Sequence, residues 1–587
     1  MKNILIAIRS IFKKGRHNVM KIVSLGIGLA VGLVLIAKVY FEQSYDDFYP
    51  DRDRVYQVWA KYQQNGGELK DYPQTSGGIA PTMQQQIPEI ETVTRYTSFG
   101  DWTFTMTDTK MKYSGRCIIA DSCFFDILPR PMLIGNAKEV LSTPMYVLVS
   151  SRIAKNIGGD VIGKNFTVDS SPGRTMTIGG VFEEVPENSH SRYDVIVSMA
   201  SAGRFMWEGS PTNMLGNDRY ISYVKLHKGV NPLALEEQVR TFVNSYFPPE
   251  EQQKVGLSID FSFHKLDNLH KELPQVKRMT WILSLLAFAL IFTAVMNYIL
   301  IVISSIVNRS KEVAVHKCYG ASENNIHGMM FGEALVHIVL SLILALLLIL
   351  AFRGTVEELL ATSLDSLLLS NGSLVLLGIC ILVFFVSGFM PGSLYARIPV
   401  ASAFRNYREN KRIWKKALLL VQFVATGFLV TMLVFVARQY TFMVNDRPGY
   451  AYENLAYCGL AGVDSTSRAK ILDEVMRLPG VAAATTVYQL PFEHASGNNI
   501  LLPGETQELF NIADLYWVGN GYLDMMEIPV IQGRSFTENV TNSREVMVDR
   551  RFVEKMKLVA GWTDDVVGKD ICVTEHSKWN EEPFTIC

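Results

Sequence analysis

The sequence predicts an α-helical membrane protein that carries two folded extracytoplasmic α/β domains in a duplicated arrangement. Three observations predict it. Apolar residues gather into five blocks, near 19–40, 280–307, 326–352, 370–390 and 417–437, in a chain of 587 residues that is 48% hydrophobic and 19% charged. Two long polar regions, 41–277 and 440–587, are each large enough for a core of their own. The second half also repeats the layout of the first at a spacing near 400 residues.

Each apolar block is long enough to cross a bilayer as a helix. Residues 1–18 are basic (Lys2, Arg9, Lys13, Lys14, Arg16), with Ile4, Leu5, Ile8, Ile11 and Phe12 at helical spacing. That pattern reads as an amphipathic segment on the inner membrane surface. The first span, 19–40, has Lys21 and Lys38 near its ends, where lysines snorkel. No small-x-small cleavage site follows it, so it reads as a retained anchor rather than a signal peptide.

Orientation follows from the Lys/Arg bias beside the spans. The N-terminal flank, the 308–325 insert (Arg309, Lys311, Lys317) and the 391–416 linker (Arg397, Arg405, Arg408, Lys411, Arg412, Lys415, Lys416) are basic; 353–369 holds only Arg353. One alternating path satisfies this. The N-terminus, 308–325 and 391–416 are cytoplasmic, while 41–277, the short loop 353–369 and 440–587 are outside. The spans are then 19–40, 280–307, 326–352, 370–390 and 417–437.

Region 41–277 reads as an α/β or α+β domain. The runs 145–151, 164–168, 174–182, 193–199 and 219–226 are strand-like and bounded by turn residues. Segments 78–88 and 233–247 are helical candidates. Cys117 and Cys123 pair only if this region is oxidised, and spacing alone does not decide it.

The insert 308–325 reads NRSKEVAVHKCYGASENN. It suggests a short helix parallel to the membrane, with Val307, Val313 and Val315 on an apolar side and Lys311 and Glu312 exposed. Gly320 would let the chain turn back into the membrane. Within the spans, Asn297 reads as a hydrogen bond between helices. Glu333 and His337, one turn apart, read as a polar pair facing another helix, with a proton or ion relay as the rival.

The repeat is extensive. Segment 9–45 matches 405–440, 124–136 matches 522–534, 146–168 matches 545–573, and 174–180 matches 582–587. The second copy stops inside a strand-like run at Cys587. The expectation is therefore of a truncated chain, lacking about 200 further residues and three further spans.

Catalytic patterns are weak. Gly158-x-x-x-x-Gly163-Lys164 approaches a phosphate loop, but Asn165 stands where Ser or Thr is needed for Mg²⁺, and a strand turn explains it better. His190 and His264 are isolated in sequence. No HExxH, GxSxG or nucleophile-base set occurs. The expectation is no enzyme, no cofactor and no metal site. A net charge of −1 speaks against a nucleic-acid partner.

The stretch Arg309-Ser310-Lys311-Glu312-Val313-Ala314-Val315-His316-Lys317-Cys318-Tyr319-Gly320-Ala321 resembles the loop after the second span of FtsX/MacB-type ABC transporter permeases, in the long duplicated form of Bacteroidetes-like bacteria. His316 replaces the usual arginine and Cys318 the usual alanine. Segment 45–58 resembles their post-anchor region. The resemblance implies a MacB-like periplasmic core domain at 41–277, an incomplete second one at 440–587, and a duplicated half-permease architecture. It implies that the membrane is a bacterial inner membrane. It implies that 308–321 is a coupling helix gripped by a dimeric cytoplasmic ABC-type ATPase through Arg309, Lys311, Glu312, Val315, Lys317, Gly320 and Ala321. Membrane lipids and a periplasmic adaptor or outer-membrane component are further implied partners. The implied function is transmission of ATP-driven motion to the periplasmic domains, for export of a peptide, lipoprotein, drug or similar substrate. The alternative is a membrane sensor or regulator controlling an envelope enzyme or a resistance response. A membrane-anchored enzyme finds no residues to carry it.

Overall fold

The computed structural model describes residues 17–64, 69–169, 171–216, 219–369, 372–400, 413–446, 449–460, 463–491, 498–505, 508–512, 515–536, 544–563, 565–574, 576–577 and 582–587. All but the last two residues of the N-terminal amphipathic segment fall outside these residues, as does most of the basic linker. The chain divides into two compact units, Met1–Val430 and Thr431–Cys587.

Five described helices are long and apolar enough to cross a membrane. They lie within α1 (Asn18–Gln43), α3 (Pro274–Ser304), α5 (Glu323–Ala351), α6 (Ser373–Ala396) and α7 (Ile413–Asn445). The short helices α2 (Ser151–Ile157) and α4 (Ile306–Cys318) complete the set needed for unit one. Small residues let the long helices approach. A Cβ on Gly28 would meet Ala294 at 2.2 Å, and one on Gly32 would meet Ile291 at 2.4 Å, so α1 lies directly on α3. Gly388 and Gly392 do the same for α6 against Phe331 and His327 of α5. Leu25, Leu29, Tyr298, Ile303, Ile338 and Tyr395 form the shared core of the bundle.

Between α1 and α3 the chain builds an eleven-stranded sheet. Its strands are β1 (Val55–Gln64), β2 (Lys70–Tyr72), β3 (Ile90–Met106), β4 (Lys112–Ala120), β5 (Met132–Ile134), β6 (Tyr146–Ser150), β7 (Asn165–Val168), β8 (Ser171–Phe182), β9 (Val195–Ser198), β10 (Ile221–Leu226) and β11 (Leu257–Lys265). The pairs β3–β4, β4–β9, β9–β6, β6–β8, β8–β7 and β7–β3 close a six-stranded ring. Alternate inward residues fill it, among them Phe104, Ile119, Val147, Phe166, Met176 and Val197. β3 is 17 residues long and extends past the ring to pair with β10, which pairs with β1 and then β11. The helices Ile79–Gln86 and Glu236–Tyr246 cover that second sheet through Ile79, Met83, Val239 and Phe242.

The α/β expectation is therefore corrected to a mixed, mainly antiparallel barrel with segregated helices. Only β4–β9 and β6–β8 run parallel in this sheet among the described pairs. The hairpins β1–β2, β3–β4 and β7–β8 make antiparallel neighbours. The helical connections do not alternate with the strands as right-handed crossovers between adjacent parallel strands, so the α+β alternative is the one that fits. Cys117 and Cys123 are both free.

Unit two holds a five-stranded sheet of β12 (Asn498–Leu501), β13 (Phe510–Ile512), β14 (Glu545–Val546), β15 (Asp570–Val573) and β16 (Phe584–Ile586), with helix α8 (Arg550–Ala560). Some of its pairings and hydrogen bonds are similar to bonds in unit one. β6 pairs parallel with β8 at Val147 and Ile178, and β14 pairs parallel with β16 at Val546 and Ile586. Gly163 N–H donates to Ile178 O at 2.8 Å; Gly568 N–H donates to Ile586 O at 2.7 Å. The Thr177 hydroxyl bonds Asn165 Oδ1 at 2.8 Å, and the Thr585 hydroxyl bonds Asp570 Oδ1 at 2.6 Å.

Gly135 shows how strictly the backbone is specified. Its φ is +85°, and an added Cβ would meet Gly179 O at 2.8 Å. Gly533, at the repeat position, has φ +82° and would meet Cys587 O at 2.7 Å. Gly135→Ala is expected to destabilise the domain by about 1–3 kcal/mol, from left-handed strain plus the carbonyl contact. Thermal unfolding of the whole protein in nanodiscs checks it; an unchanged midpoint would contradict this reading of the turn.

Candidate functional site

The helix α4 is amphipathic, but its sides differ from those read off the valines. Successive residues rotate by about 100°, so Val313 and Val315 fall on different faces. Arg309, Ser310, Val313 and Ala314 form the buried stripe. Lys311, Val315, His316, Cys318 and Tyr319 are exposed, with Val315 43% and Tyr319 90% accessible. Glu312 is half-buried. Burying Val313 in the bundle core is worth about 1.5–3 kcal/mol.

α4 follows α3 after a single residue, Ser305, whose hydroxyl donates to Val302 O at the end of α3 at 2.6 Å and meets Tyr395 OH at 3.1 Å. At its end Gly320 takes φ +85°, Gly320 N–H donates to Lys317 O at 3.0 Å and Ala321 N–H to His316 O at 3.0 Å. This is the left-handed helix stop that glycine permits. Ser322 then caps α5, its hydroxyl accepting from Asn325 N–H at 3.3 Å. Gly320 and Ala321 thus shape the turn, as the sequence suggested.

Arg309 turns inward. Its Nη1 lies 2.9 Å from Glu333 Oε2, its Nε 3.5 Å from Glu312 Oε2, and its guanidinium over the Tyr395 ring at 5.5 Å. Glu333 Oε1 lies 3.6 Å from Lys21 Nζ. Lys21, Arg309 and Glu333 are all buried. One carboxylate on α5 therefore joins α1 and α4, with the half-buried Glu312 carrying the fourth charge. This corrects the snorkelling expectation for Lys21. Lys38 is likewise buried, against Glu42 at 2.7 Å and the Thr362 hydroxyl at 2.8 Å.

Lys317 also turns inward. Its Nζ donates to Ala396 O at 2.6 Å and to Ile398 O at 2.8 Å. These lie at the C-terminal end of α6, where a cation offsets the unpaired carbonyls and the helix dipole. Lys317→Met keeps the apolar stem and removes the two charged bonds. It is expected to cost about 1.5–3 kcal/mol and to loosen α4 from α6. Hydrogen exchange at 394–398 in nanodiscs should rise; unchanged protection there would count against the cap.

His337 is fully buried and its Nδ1 lies 3.2 Å from Tyr298 OH. Asn297, the expected partner across helices, is half-buried and makes no side-chain hydrogen bond among the described residues. The next residue fills that role, because one step along α3 turns the side chain from the bundle edge into its core. Sequence reasoning missed Lys21, Tyr298 and Tyr395. A lysine inside an apolar helix and a later span carrying an acid were the available signal for the first. For the tyrosines, pattern alone distinguishes no polar contact from ordinary core packing.

Elsewhere, Gly158 and Gly163 bound a tight turn in which Lys164 Nζ donates to Gly158 O at 3.3 Å, as a strand connection rather than a phosphate cradle. His190, isolated in sequence, is paired in space with Asp46.

Two families match this chain. Residues 20–242 match the MacB-like periplasmic core domain, and residues 284–400 match the FtsX-like permease C-terminal domain. No curated relative matches. Among solved structures, a domain of a protein described as a permease from Porphyromonas gingivalis is 32% identical over 37% of this chain and 91% of that one, with a TM-score of 0.34. The periplasmic region of MacB from Actinobacillus actinomycetemcomitans is 15% identical over 37% and 91%, with a TM-score of 0.26. The extracellular domain of the noncanonic ABC-type transporter YknZ from Gram-positive bacteria is 11% identical over 35% and 98%, with a TM-score of 0.25.

Proposed function

We propose, because this chain belongs to the FtsX/MacB-type family of ABC transporter permeases, that it carries movement from a cytoplasmic ATPase through α4 to its periplasmic domain. Membership implies an ABC ATPase partner and a lipid surround, and the chain combines several membrane-spanning helices with a large periplasmic domain. The exposed stripe of Lys311, Val315 and Tyr319 is the docking face for the ATPase. Arg309 and Lys317 are the inward grips. The first passes a displacement of α4 to α1 and α5, the second to α6. Charged contacts of this kind are stiff, so a docked helix and its bonded neighbours move together.

One observation carries this reading. α4 is tied directly to α5 through Arg309–Glu333 and to α6 through Lys317, reaches α1 only through the shared Glu333 carboxylate, and leaves the opposite stripe exposed. Any surface helix leaves one stripe to solvent, but this one leaves Val315 and the Tyr319 ring there, side chains that suit a partner's surface better than water. The N-terminus then lies in the cytoplasm, on the side of the basic segments. The repeated hydrogen bonds of unit two support its reading as a second core domain of the same kind. The substrate class stays within the peptide, lipoprotein and drug range of such permeases.

Affinity purification of the full chain from native membranes tests this. An ABC-type ATPase should co-purify with the parent chain, and Lys311→Glu combined with Val315→Asp should remove it. Equal recovery of the ATPase with the double variant would overturn the docking face.

A further inference from the structure

We infer that loop 187–191 of the periplasmic domain is the element through which that domain takes up movement of the membrane helices, with Glu187 and Asp46 as positioning residues. This rests on the coupling role proposed above and names its receiving end.

The loop is bonded in three directions. Toward α1, Asn188 Nδ2 donates to Ser44 O at 2.7 Å, and Asp46 N–H donates to Asn188 O at 2.8 Å. The Ser189 hydroxyl donates to Asp46 Oδ1 at 2.9 Å, and His190 N–H to the same oxygen at 3.3 Å. His190 Nδ1 lies 2.7 Å from Asp46 Oδ2, and its other ring nitrogen meets the hydroxyl of Tyr223 on β10. Asp46 is fully buried and holds a φ of +60° just beyond α1. Toward the segment between α5 and α6, Glu187 Oε2 accepts from Ser363 N–H at 3.0 Å and from the Ser363 hydroxyl at 3.1 Å. Ser363 caps the helix Leu364–Leu368. Toward the barrel, the Ser191 hydroxyl donates to the Tyr96 hydroxyl on β3 at 2.7 Å.

The outer ends of the helices are tied to one another at the same level. Glu42 on α1 bonds Lys38 at 2.7 Å and His270, ahead of α3, at 2.6 Å. Tyr45 stacks on His270 at 3.4 Å. Burial, then the nearby Glu42 carboxylate, push the Tyr45 phenol up to about 12. It stays neutral at any working pH.

The Glu187–Ser363 bonds join residues 176 positions apart and complete no part of the barrel core. What they do is prevent the domain from moving independently of the α5–α6 connection. Asp46 does the same for α1. Five residues in a row thus see two separate helix ends and hand both to the sheet through buried hydrogen bonds, a stiff path in a low-dielectric setting.

The test uses the full chain in nanodiscs with its co-purified ATPase, in a background with the seven native cysteines replaced by alanine. A single cysteine at Leu133, an exposed position on β5 beside the barrel strand β8, carries an environment-sensitive fluorophore, read before and after ATP and vanadate. Glu187→Ala should shrink the nucleotide response about 5-fold or more, with the ATPase still bound and its hydrolysis rate unchanged. In an unlabelled-domain control, Glu187→Cys with Ser363→Cys should lose coupling when reduced. A short methanethiosulfonate bridge between the two should restore it, with coupling followed by tryptophan fluorescence. A full response in Glu187→Ala, or no recovery on bridging, overturns the inference alone. A parent chain that binds no ATPase and shows no nucleotide response overturns the coupling role itself.

Discussion

Replacing Glu333 with alanine is expected to destabilise the helix bundle by about 3–5 kcal/mol, the range for removing one partner from a buried ion pair. Glu333 faces Arg309 at 2.9 Å and Lys21 at 3.6 Å, and all three are buried. Alanine leaves two cations in the core with one half-buried carboxylate, Glu312, between them and solvent. The complementary variant is Lys21→Met, Arg309→Met and Glu333→Met together. A well-packed apolar replacement of a buried charge group is often neutral or stabilising, so the triple variant should regain most of the loss. Thermal unfolding in nanodiscs, followed by intrinsic fluorescence, measures both. A loss below about 1 kcal/mol in the single variant would mean that the cluster is hydrated and weak. The triple variant also separates two roles. If the cluster transmits displacement of α4, the triple should be stable and yet poorly coupled.

Tyr319→Ala is expected to weaken ATPase binding by about 2 kcal/mol, roughly 30-fold in affinity, while leaving stability within about 0.5 kcal/mol. The reasoning is one of contrast. Tyr319 is 90% exposed at the end of α4, on the same face as Lys311 and Val315. A large aromatic ring at a helix end, with no core to fill, contributes little to folding. Buried against a partner, it supplies area at low entropic cost. Titration of purified ATPase onto the permease in nanodiscs reads the affinity directly. Binding equal to the parent would remove Tyr319 from the docking face. A drop in melting temperature of the same size as the binding loss would make its role structural.

How far the site was legible depends on what each residue type reveals. Gly320 announced the turn, because a glycine after a lysine-bearing helical run is the commonest way to stop a helix. Its φ of +85° is that stop. Lys311 stands exposed on α4 as its charge suggests. Arg309 and Lys317 carry charges of the same sign and yet face inward. Nothing in their own neighbourhood distinguishes them from Lys311. The distinction lies in Glu333, on the next span, and in the end of α6, which the chain reaches only after crossing the bilayer twice more. Asn297 shows the converse. A polar residue in an apolar helix was the natural candidate for a contact, and the helix phase placed Tyr298 there instead. The barrel was hidden for a related reason. Strands such as β6, β7 and β8 were visible as turn-bounded apolar runs, but ring closure depends on β7 pairing with both β3 and β8, and pairing partners leave no local trace.

Hydropathy and periodicity act over a few neighbouring residues. They alone sufficed for the apolar helices and for the two long polar regions. The partner of each buried charge was decided only by the packed structure. So was the face that α4 presents outward, and so was the closing of the barrel. An ion pair such as Arg309–Glu333 is specified by distance in space, across a core whose helices must first approach through Gly28 and Gly32. No single segment holds that information. It exists once the segments have met.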